Sequence, residues 1–399
     1  MTDKQYGGLQ EEVTMITTYQ QLCPVIFGPG ALEQLGTKAK ELKATHVFCI
    51  CDAGVRTTGM ADHVKDILEK EGIETCIFDG VLPDAPNEMV EEAGRKANGF
   101  GADMVLGIGG GSSLDTAKSV AVLCDNPAPL SQYYLSQGGT FQMKTPLVLI
   151  PTASGTGSEV TIMSVIHDEH SDAKEAVMRP GDLAIVDPEL TVTAPPGVTA
   201  STALDAMSHA VEAYTSAGHT PNSDMQALEA IRLIHDNLKT AYEDGKNLEA
   251  RTNLAFASNI AGMAFNDASV HFGHAAAHEL GIRFHMPHGV ACALTLPEVV
   301  HFAGDVMPDR VKKIAEALGM KDAAKSTAAE GEKYAIGRIK DLMKAVGIKS
   351  MKEQGLTLED VKSCAKGAVE KNAFIAASPK EVTVPVMEKL LEEMYALYE

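Results

Sequence analysis

The segment ADMVLGIGGGSSLDTAKSVAVLC, residues 102–124, contains the pattern that decides the fold. It begins with a largely apolar run typical of a buried strand, continues through Gly109–Gly111, and ends with the periodicity of a helix. Ser112 is a candidate N-cap, and Asp115 follows it in a relation like a capping box. A strand, a glycine turn and a helix in this order predict one unit of a parallel α/β sheet.

The neighbouring segments repeat this alternation. Strand patterns occur at THVFCICD (45–52), ETCIFDG (74–80) and TPLVLIPT (145–152), and helical patterns occur at MADHVKDILEKEG (60–72) and NEMVEEAGRKANGFG (87–101). Strands that alternate with helices predict a parallel sheet with crossover helices. Ligands of such sheets bind at the carboxyl ends of the strands, where the glycine turn also lies.

The chain changes character at Pro195-Pro196-Gly197. Beyond this point the sequence has successive helical patterns and no convincing strand. We therefore predict an α/β nucleotide-binding domain with a parallel sheet over residues 1–197 and an all-helical domain over residues 198–399. The cleft between the two domains is the expected ligand site.

The composition excludes several classes of function. The 34 Lys and Arg residues against 54 Asp and Glu residues give a formal net charge of −20, which repels nucleic acid and anionic lipid. No apolar stretch reaches membrane-spanning length, and the start MTDKQYGGLQEEV lacks the pattern of a signal peptide. The seven cysteines are scattered, and Cys49 and Cys51 point the same way along one predicted strand. We interpret them as reduced core residues of a cytoplasmic protein.

The motifs of the nucleotide-binding half are individually weak. The glycine turn fits neither G-x-G-x-x-G nor a Walker loop, so it indicates either phosphate binding at a helix N-terminus or a tight turn without a ligand. Asp52 ends a predicted strand, where an acid can bind the ribose and favour NAD over NADP, although a turn or N-cap aspartate is the commoner role. The loop PTASGTGSEVT (151–161) offers hydroxyl and N–H groups that suit a phosphate or the nicotinamide amide.

Asp205 and His209 lie four residues apart in the helical pattern STALDAMSHAVEAYTS (201–216), so they share one helix face. Such a pair alone is usually a surface pair. Its interpretation as a metal site depends on a second run, GHAAAHELGIRFHMPHG (273–289), which holds four of the 13 histidines of the chain.

Within this run His274 and His278 are also four residues apart, beside three alanines that let another element approach closely. A Met-Pro-His-Gly turn then directs His288 toward the same point. The predicted metal ligands are Asp205, His209, His274 and His288. Three imidazoles and one carboxylate suit Fe(II) or Zn(II), whereas Mg and Ca prefer oxygen ligands. A structural zinc site is the alternative, but such sites favour cysteine. His278 is left free for proton transfer.

Four motifs together resemble the iron-containing, group III alcohol dehydrogenases: GGGSSLD (109–115), PTASGTGSEVT (151–161), DAMSHAVEAYTS (205–216) and HAAAHELGIRFHMPHG (274–289). The resemblance extends from FGPGAL (27–32) to the last helices. It implies an N-terminal nucleotide-binding α/β domain, a C-terminal helical metal-binding domain, and a metal in the cleft between them. It also implies a homodimer or a larger homo-oligomer.

The resemblance also implies roles for individual residues. It assigns the metal to the predicted ligands and a proton-relay role to His278, our catalytic candidate, and it implies NAD(H) as the cofactor through Asp52. The cofactor-binding candidates are Asp52, Gly109, Gly110, Gly111, Ser112, Asp115, Thr152, Thr161 and Lys174. The chain departs from the family at Ser113, where proline is usual, and at Ala153-Ser154, where the family reads PTTAGT.

These observations predict a metal-dependent, NAD(H)-linked alcohol dehydrogenase or aldehyde reductase for a short primary alcohol or aldehyde. Arg283 lies inside the histidine run, where it either contacts an acidic substrate such as succinic semialdehyde or sulfoacetaldehyde or is a surface residue. A zinc polyol dehydrogenase of the glycerol type is a further alternative. A sugar-phosphate cyclase would need more Lys and Arg than the 201–290 region contains. The glycine turn and Asp52 argue against a metal-binding protein without enzymatic activity.

Overall fold

The computed structural model of the protein describes residues 17–171 and 173–397. The stretch 1–13, which bears on the signal-peptide prediction, lies outside the described residues. Within the described ranges, no helix is both long and apolar enough to cross a membrane. These ranges contain eight strands: β1 Val25–Phe27, β2 His46–Asp52, β3 Glu74–Val81, β4 Met104–Gly109, β5 Leu147–Pro151, β6 Met163–Asp168, β7 Ala173–Met178 and β8 Leu183–Val186.

Six of these strands form one parallel sheet in the order β1-β8-β5-β4-β2-β3. Helices cover the sheet, as the alternating pattern predicts. They are α1 Leu35–Glu41, α2 Ala53–Thr57, α3 Met60–Lys70, α4 Asn87–Phe100 and α5 Gly111–Asp125. Side chains of β2 alternate between the two faces, so Cys49 and Cys51 pack into one core layer and Phe48 and Ile50 into the other.

The antiparallel hairpin β6–β7 is absent from our sequence predictions. Its strands carry mixed polar and apolar residues, so they lack the apolar runs of the sheet. Polar side chains of α5 hold the hairpin in place. The Lys118 ammonium donates to the Met163 carbonyl at 2.6 Å, and the Val165 N–H donates to Asp115 Oδ2 at 3.1 Å. The hairpin therefore lies beside the helix that begins at the glycine turn.

After β8, all regular elements among the described residues are helices. The α-helices are α6 Pro196–Thr215, α7 Pro221–Glu243, α8 Leu248–Ala268, α9 Phe272–Phe284, α10 His288–Gly304, α11 Pro308–Ala317, α12 Ala328–Ala345, α13 Leu358–Lys362, α14 Ala365–Glu370 and α15 Val384–Tyr395. They share one large apolar core that is rich in alanine. The predicted fold class, a parallel α/β half followed by a helical half, is confirmed. The division at residues 197/198 stays a prediction, and α6 begins at Pro196.

Candidate active site

Three helices bring the four predicted metal ligands to one point. Asp205 and His209 lie on α6, His274 lies on α9, and His288 is the first residue of α10. Their ligand atoms all lie within 4.8 Å of one another. The Nε2 atoms of His209, His274 and His288 are 3.9, 3.8 and 3.5 Å from Asp205 Oδ1. Atoms that bind one metal tetrahedrally at ~2.1 Å lie roughly 3.4 Å apart, so these separations are close to what a metal requires.

Small residues allow the helices to approach this closely. Ala275, Ala276 and Ala277 on α9 are fully buried. Gly289 at the start of α10 lies against α6, where a Cβ atom would overlap the carbonyl of Ser201. A larger residue at position 289 would therefore push His288 away from Asp205.

The cluster contains buried polar atoms that lack a protein partner. Among the described residues, Asp205 Oδ1 and His274 Nε2 are buried and accept or donate no hydrogen bond. Leaving such groups unpaired costs free energy, which a bound cation would recover. Burial lowers the pKa of His209 to about 4, so this imidazole is neutral and able to ligate at neutral pH. Burial opposes ionisation of Asp205, but the three neighbouring imidazoles outweigh it and lower the pKa of this carboxyl. The residues present thus fit a divalent transition metal.

Glu212 supports the cluster from behind, and our sequence predictions missed it. Its buried Oε1 lies 2.5 Å from His274 Nδ1, and its Oε2 accepts the backbone N–H of His271 at 2.6 Å. The pKa of Glu212 is lowered to about 2, because His274 and His271 outweigh the effect of burial. The carboxylate therefore fixes the Nδ1–H tautomer of His274 and leaves Nε2 facing Asp205. Glu212 lies three residues after His209 on α6, so helical spacing could have identified it.

His278 stands next to the cluster but outside the predicted metal set. Its ring lies 5.4 Å from the His288 ring, and the Asn372 amide donates to its Nδ1 at 3.0 Å. Its pKa is lowered well below the ordinary value by burial and by the neighbouring His288 and Lys174. The neutral ring then carries its proton on Nε2. His285, the remaining histidine of the run, is exposed and caps the end of α9 in a left-handed conformation with φ 53°.

The glycine turn lies at the carboxyl end of β4, as predicted, and opens α5. Gly109 has φ +149°, and a Cβ there would lie 2.6 Å from Ser113 Oγ, so only glycine fits. The prediction of Ser112 as N-cap is wrong. Gly110 is the N-cap, and Ser112 is inside the first turn of the helix, where its Oγ accepts the N–H of Asp84 at 3.2 Å. The Ser112 hydroxyl thus contacts the loop that contains Asp84, and the sequence pattern gave no sign of this contact.

Other cofactor candidates are engaged in contacts within the protein. Asp115 accepts the hydroxyl of Ser158 at 2.6 Å, and the Lys174 ammonium pairs with Asp84. Thr161 is buried and accepts from Lys118 at 3.3 Å. All three candidates nevertheless line the cavity described below.

Asp52 and Thr152 lie at the carboxyl ends of β2 and β5. Asp52 caps α2 by accepting the N–H of Val55 at 3.0 Å, and it accepts the hydroxyl of Ser113 at 3.3 Å. The backbone N–H of Thr152 donates to the Gly109 carbonyl at 3.0 Å. Neither side chain lines the cavity. From the same 151–161 loop, Thr156 and Ser158 do line it, and our predictions did not name them.

One cavity of ≈ 230 Å³ joins the two groups of residues, and we call it the inner cavity. One wall comes from the start of α5, the 151–161 loop and the hairpin. The other wall comes from α6, α8, α9 and α10, and includes the imidazoles. The lining residues include Gly111, Ser112, Thr156, Lys174, His209, His274, His278, His288 and Phe374.

Family models match both halves of the chain. The model described as iron-containing alcohol dehydrogenase matches residues 24–188, and the model of the C-terminal part of the Fe-containing alcohol dehydrogenase family matches residues 199–395. The chain belongs to the iron-containing alcohol dehydrogenase family. It is 38% identical to long-chain-alcohol dehydrogenase 1 of Geobacillus thermodenitrificans over 375 residues, which cover 92% of this chain and 93% of that protein.

Solved structures of iron-containing alcohol dehydrogenases and their relatives have the same fold. A 1,3-propanediol oxidoreductase superposes with a TM-score of 0.90 at 32% identity, covering 94% of this chain and 100% of that one. A sulfoacetaldehyde reductase from Bifidobacterium kashiwanohense, solved in complex with NAD+, gives a TM-score of 0.87 at 27% identity, covering 96% and 99%. The chain is therefore an oxidoreductase of the alcohol dehydrogenase class.

Arg283 does not line the inner cavity of this alcohol dehydrogenase. Its Nη1 donates to Ser363 Oγ at 2.5 Å, and its Nε lies 3.8 Å from Glu279 Oε2. The side chain is 43% exposed. Of the two roles considered for Arg283, the geometry supports the surface residue.

Proposed function

We propose that the protein is a metal-dependent, NAD(H)-linked alcohol dehydrogenase or aldehyde reductase that transfers hydride between the nicotinamide and a primary alcohol or aldehyde. One observation carries the proposal. The inner cavity is lined both by Gly111 and Ser112 at the start of α5 and by the imidazoles of His209, His274 and His288. A nucleotide site and a metal site that share one cavity suit a reaction between a cofactor and a metal-held oxygen substrate.

Asp205, His209, His274 and His288 would hold the metal, with Fe(II) or Zn(II) as the occupant according to supply. The N–H groups at the start of α5 would hold the pyrophosphate, since a helix N-terminus attracts anions. Asp52, at the end of β2, would select NAD(H) over NADP(H). When bound, the metal supplies Lewis acidity toward the alcohol or carbonyl oxygen, and the nicotinamide supplies or accepts the hydride.

His278 would handle the proton. Asn372 donates to its Nδ1, so the neutral ring presents its Nε2–H as a donor. In the reductive direction this Nε2 proton can pass to the substrate oxygen as Nδ1 takes up a proton from water, and in the oxidative direction the same two transfers run in reverse. Asp205, His209 and His274 are buried, which restricts the rotamers of these three metal candidates.

A neutral substrate suits the cleft better than an acidic one. Among the described residues that line the inner cavity, Lys174 is the only Lys or Arg, and it already pairs with Asp84. Arg283, the residue that would favour a carboxylate or sulfonate, pairs outside the cavity. We therefore rank neutral alcohols and aldehydes first, polyols next and acidic aldehydes last.

The test is a turnover assay with protein purified without oxygen and loaded with Fe(II) or Zn(II). NADH oxidation is followed with neutral, hydroxylated, carboxylated and sulfonated aldehydes. We expect turnover that a chelator abolishes and the metal restores, with neutral members preferred. No turnover with any member, despite bound metal and NADH, would refute the reductase proposal. A preference for sulfonated or carboxylated members would reverse our ranking of substrates.

A further inference from the structure

A larger chamber opens directly outside the inner cavity. Its volume is ≈ 480 Å³, and we call it the outer chamber. The two spaces share five lining residues: Met163, Val165, Lys174, His278 and Phe374. Because His278 lines both spaces, a molecule that places one end beside this imidazole can extend its other end into the outer chamber.

Helix α9 forms a continuous wall from one space to the other. His274, His278 and Ile282 are spaced four residues apart, so they follow one another along one face of the helix. His274 lines the inner cavity, His278 lines both spaces, and Ile282 lines the outer chamber. With a rise of ~1.5 Å per residue, Ile282 lies roughly 6 Å farther along the axis than His278.

The hairpin forms the opposing wall. Val165 on β6 pairs with Ala176 on β7, so the two side chains lie on the same face of the hairpin. Both line the outer chamber, together with Met163 and Ala173. Alanine at positions 173 and 176 leaves room that larger residues would fill.

Several polar groups around the chamber already have partners within the protein. Ser136 donates to Glu175 at 2.8 Å, and Glu279 lies 3.8 Å from Arg283. Lys174 pairs with Asp84. Ser269, His278, Lys371 and Asn372 also line the chamber, and the other eight of its sixteen lining residues are aliphatic or aromatic. Such a lining suits a ligand part that needs no polar partner.

We infer that the outer chamber holds the aliphatic tail of a straight-chain primary alcohol or aldehyde whose oxygen-bearing end lies beside His278. This inference rests on the proposed function and narrows its substrate class to chains longer than the short alcohols of our sequence prediction. Burial of each added methylene contributes about fourfold to binding, so substrate preference rises with chain length until the chamber is filled.

The experiment measures kcat/KM for primary alcohols from ethanol to 1-decanol, with NAD+ and the metal-loaded protein. We expect kcat/KM to rise with length, so that 1-octanol exceeds ethanol by about a hundredfold or more. Ala176→Leu fills the chamber and Ile282→Ala removes a wall, so each should lower the ratio of 1-octanol to ethanol by roughly tenfold. Ala329→Leu, the same type of change on an exposed part of α12, should leave the ratio as in the unmodified protein.

Calorimetric binding of 1-octanol to the metal-loaded protein with NADH separates the two proposals. Alcohol oxidation without any length preference, with Ala176→Leu equal to the unmodified protein, would overturn the outer-chamber inference and leave the proposed function intact. Absence of turnover at every length, with 1-octanol still bound and its binding weakened by Ala176→Leu, would refute the proposed function and support the chamber as an alkyl-binding site.

Discussion

The two walls of the inner cavity are built in different ways. We call the wall formed by α6, α8, α9 and α10 the helical wall, and the wall formed by the start of α5, the 151–161 loop and the hairpin the nucleotide wall. On the helical wall, Asp205 and His274 carry buried polar atoms that have no partner among the described residues. On the nucleotide wall, Asp115 and Lys174 are already held by Ser158 and Asp84. The helical wall therefore has side-chain atoms that are available to a ligand, whereas the side chains of the nucleotide wall already have partners within the protein.

This difference indicates how each wall binds. The helical wall depends on a few side chains in fixed positions, so replacing one of them should be severe. The nucleotide wall offers mainly backbone N–H groups at the start of α5, which no side-chain substitution removes. We therefore expect substitutions on the helical wall to impair metal binding and activity much more than substitutions on the nucleotide wall impair cofactor binding.

The largest effect should come from Asp205→Asn. The amide keeps the shape of the carboxylate but removes the charge that balances a cation among three imidazoles. We expect metal affinity to fall more than about a hundredfold, because loss of a direct ligand should exceed the loss caused by changing a supporting residue. Activity should fall together with the metal content. Metal analysis after dialysis measures this, with the exposed Asp341→Asn as control. Full retention of metal in Asp205→Asn would contradict the assignment.

His278→Gln should separate metal binding from turnover. Loss of the imidazole removes the proton donor, so we expect kcat to fall by about 10²–10⁴-fold while the metal content stays unchanged. Steady-state kinetics and metal analysis of the same preparation test this. If the variant loses its metal, His278 is a ligand and our division of roles on this wall is wrong.

Glu212→Gln should have an intermediate effect. Glutamine can still approach His274 Nδ1 but no longer supplies a negative charge behind it. We expect metal affinity to fall by about 10–100-fold, measured by competition with a chromophoric chelator. Glu249→Gln, an exposed change on α8, is the matched control. An unchanged metal affinity would mean that metal binding does not depend on the Glu212 carboxylate behind His274.

The smallest effects should come from the nucleotide wall. Thr156 lines the inner cavity and Thr152 does not, so Thr156→Ala and Thr152→Ala form a matched pair. We expect KM for NADH to rise roughly two- to tenfold in Thr156→Ala, the value of one hydrogen bond, and to stay unchanged in Thr152→Ala. The reverse order would support the prediction that Thr152 contacts the cofactor.

The sequence brought the four candidate metal ligands and His278 of the helical wall together, because spacing on a helix determines which side chains share a face. Asp205 with His209, and His274 with His278, follow from this rule alone. Glu212 and His271 obey the same rule and were still missed. Glu212 contacts His274, and His271 donates its backbone N–H to Glu212; spacing places Glu212 on the face of His209, but it does not by itself show that a residue on that face is a support.

The nucleotide wall was predicted only in outline. The glycine turn and strands β2, β3, β4 and β5 follow from local patterns, and the structure has them where expected, whereas the short strands β1 and β8 were not predicted. The side-chain contacts of Ser112 and Asp115 were not predictable, because their partners lie 28 or more residues away along the chain or on the hairpin. The hairpin itself escaped notice because its strands are half polar.

The most direct test of the proposed metal site is a crystal structure of the metal-loaded protein with anomalous data at the Fe or Zn absorption edge. We predict one strong anomalous peak, bound by Asp205 Oδ1 and by the Nε2 atoms of His209, His274 and His288. His278 would lie nearby without binding the metal. A fully loaded crystal with its peak elsewhere, or with His278 in place of one of the four residues, would contradict the assignment of the metal ligands.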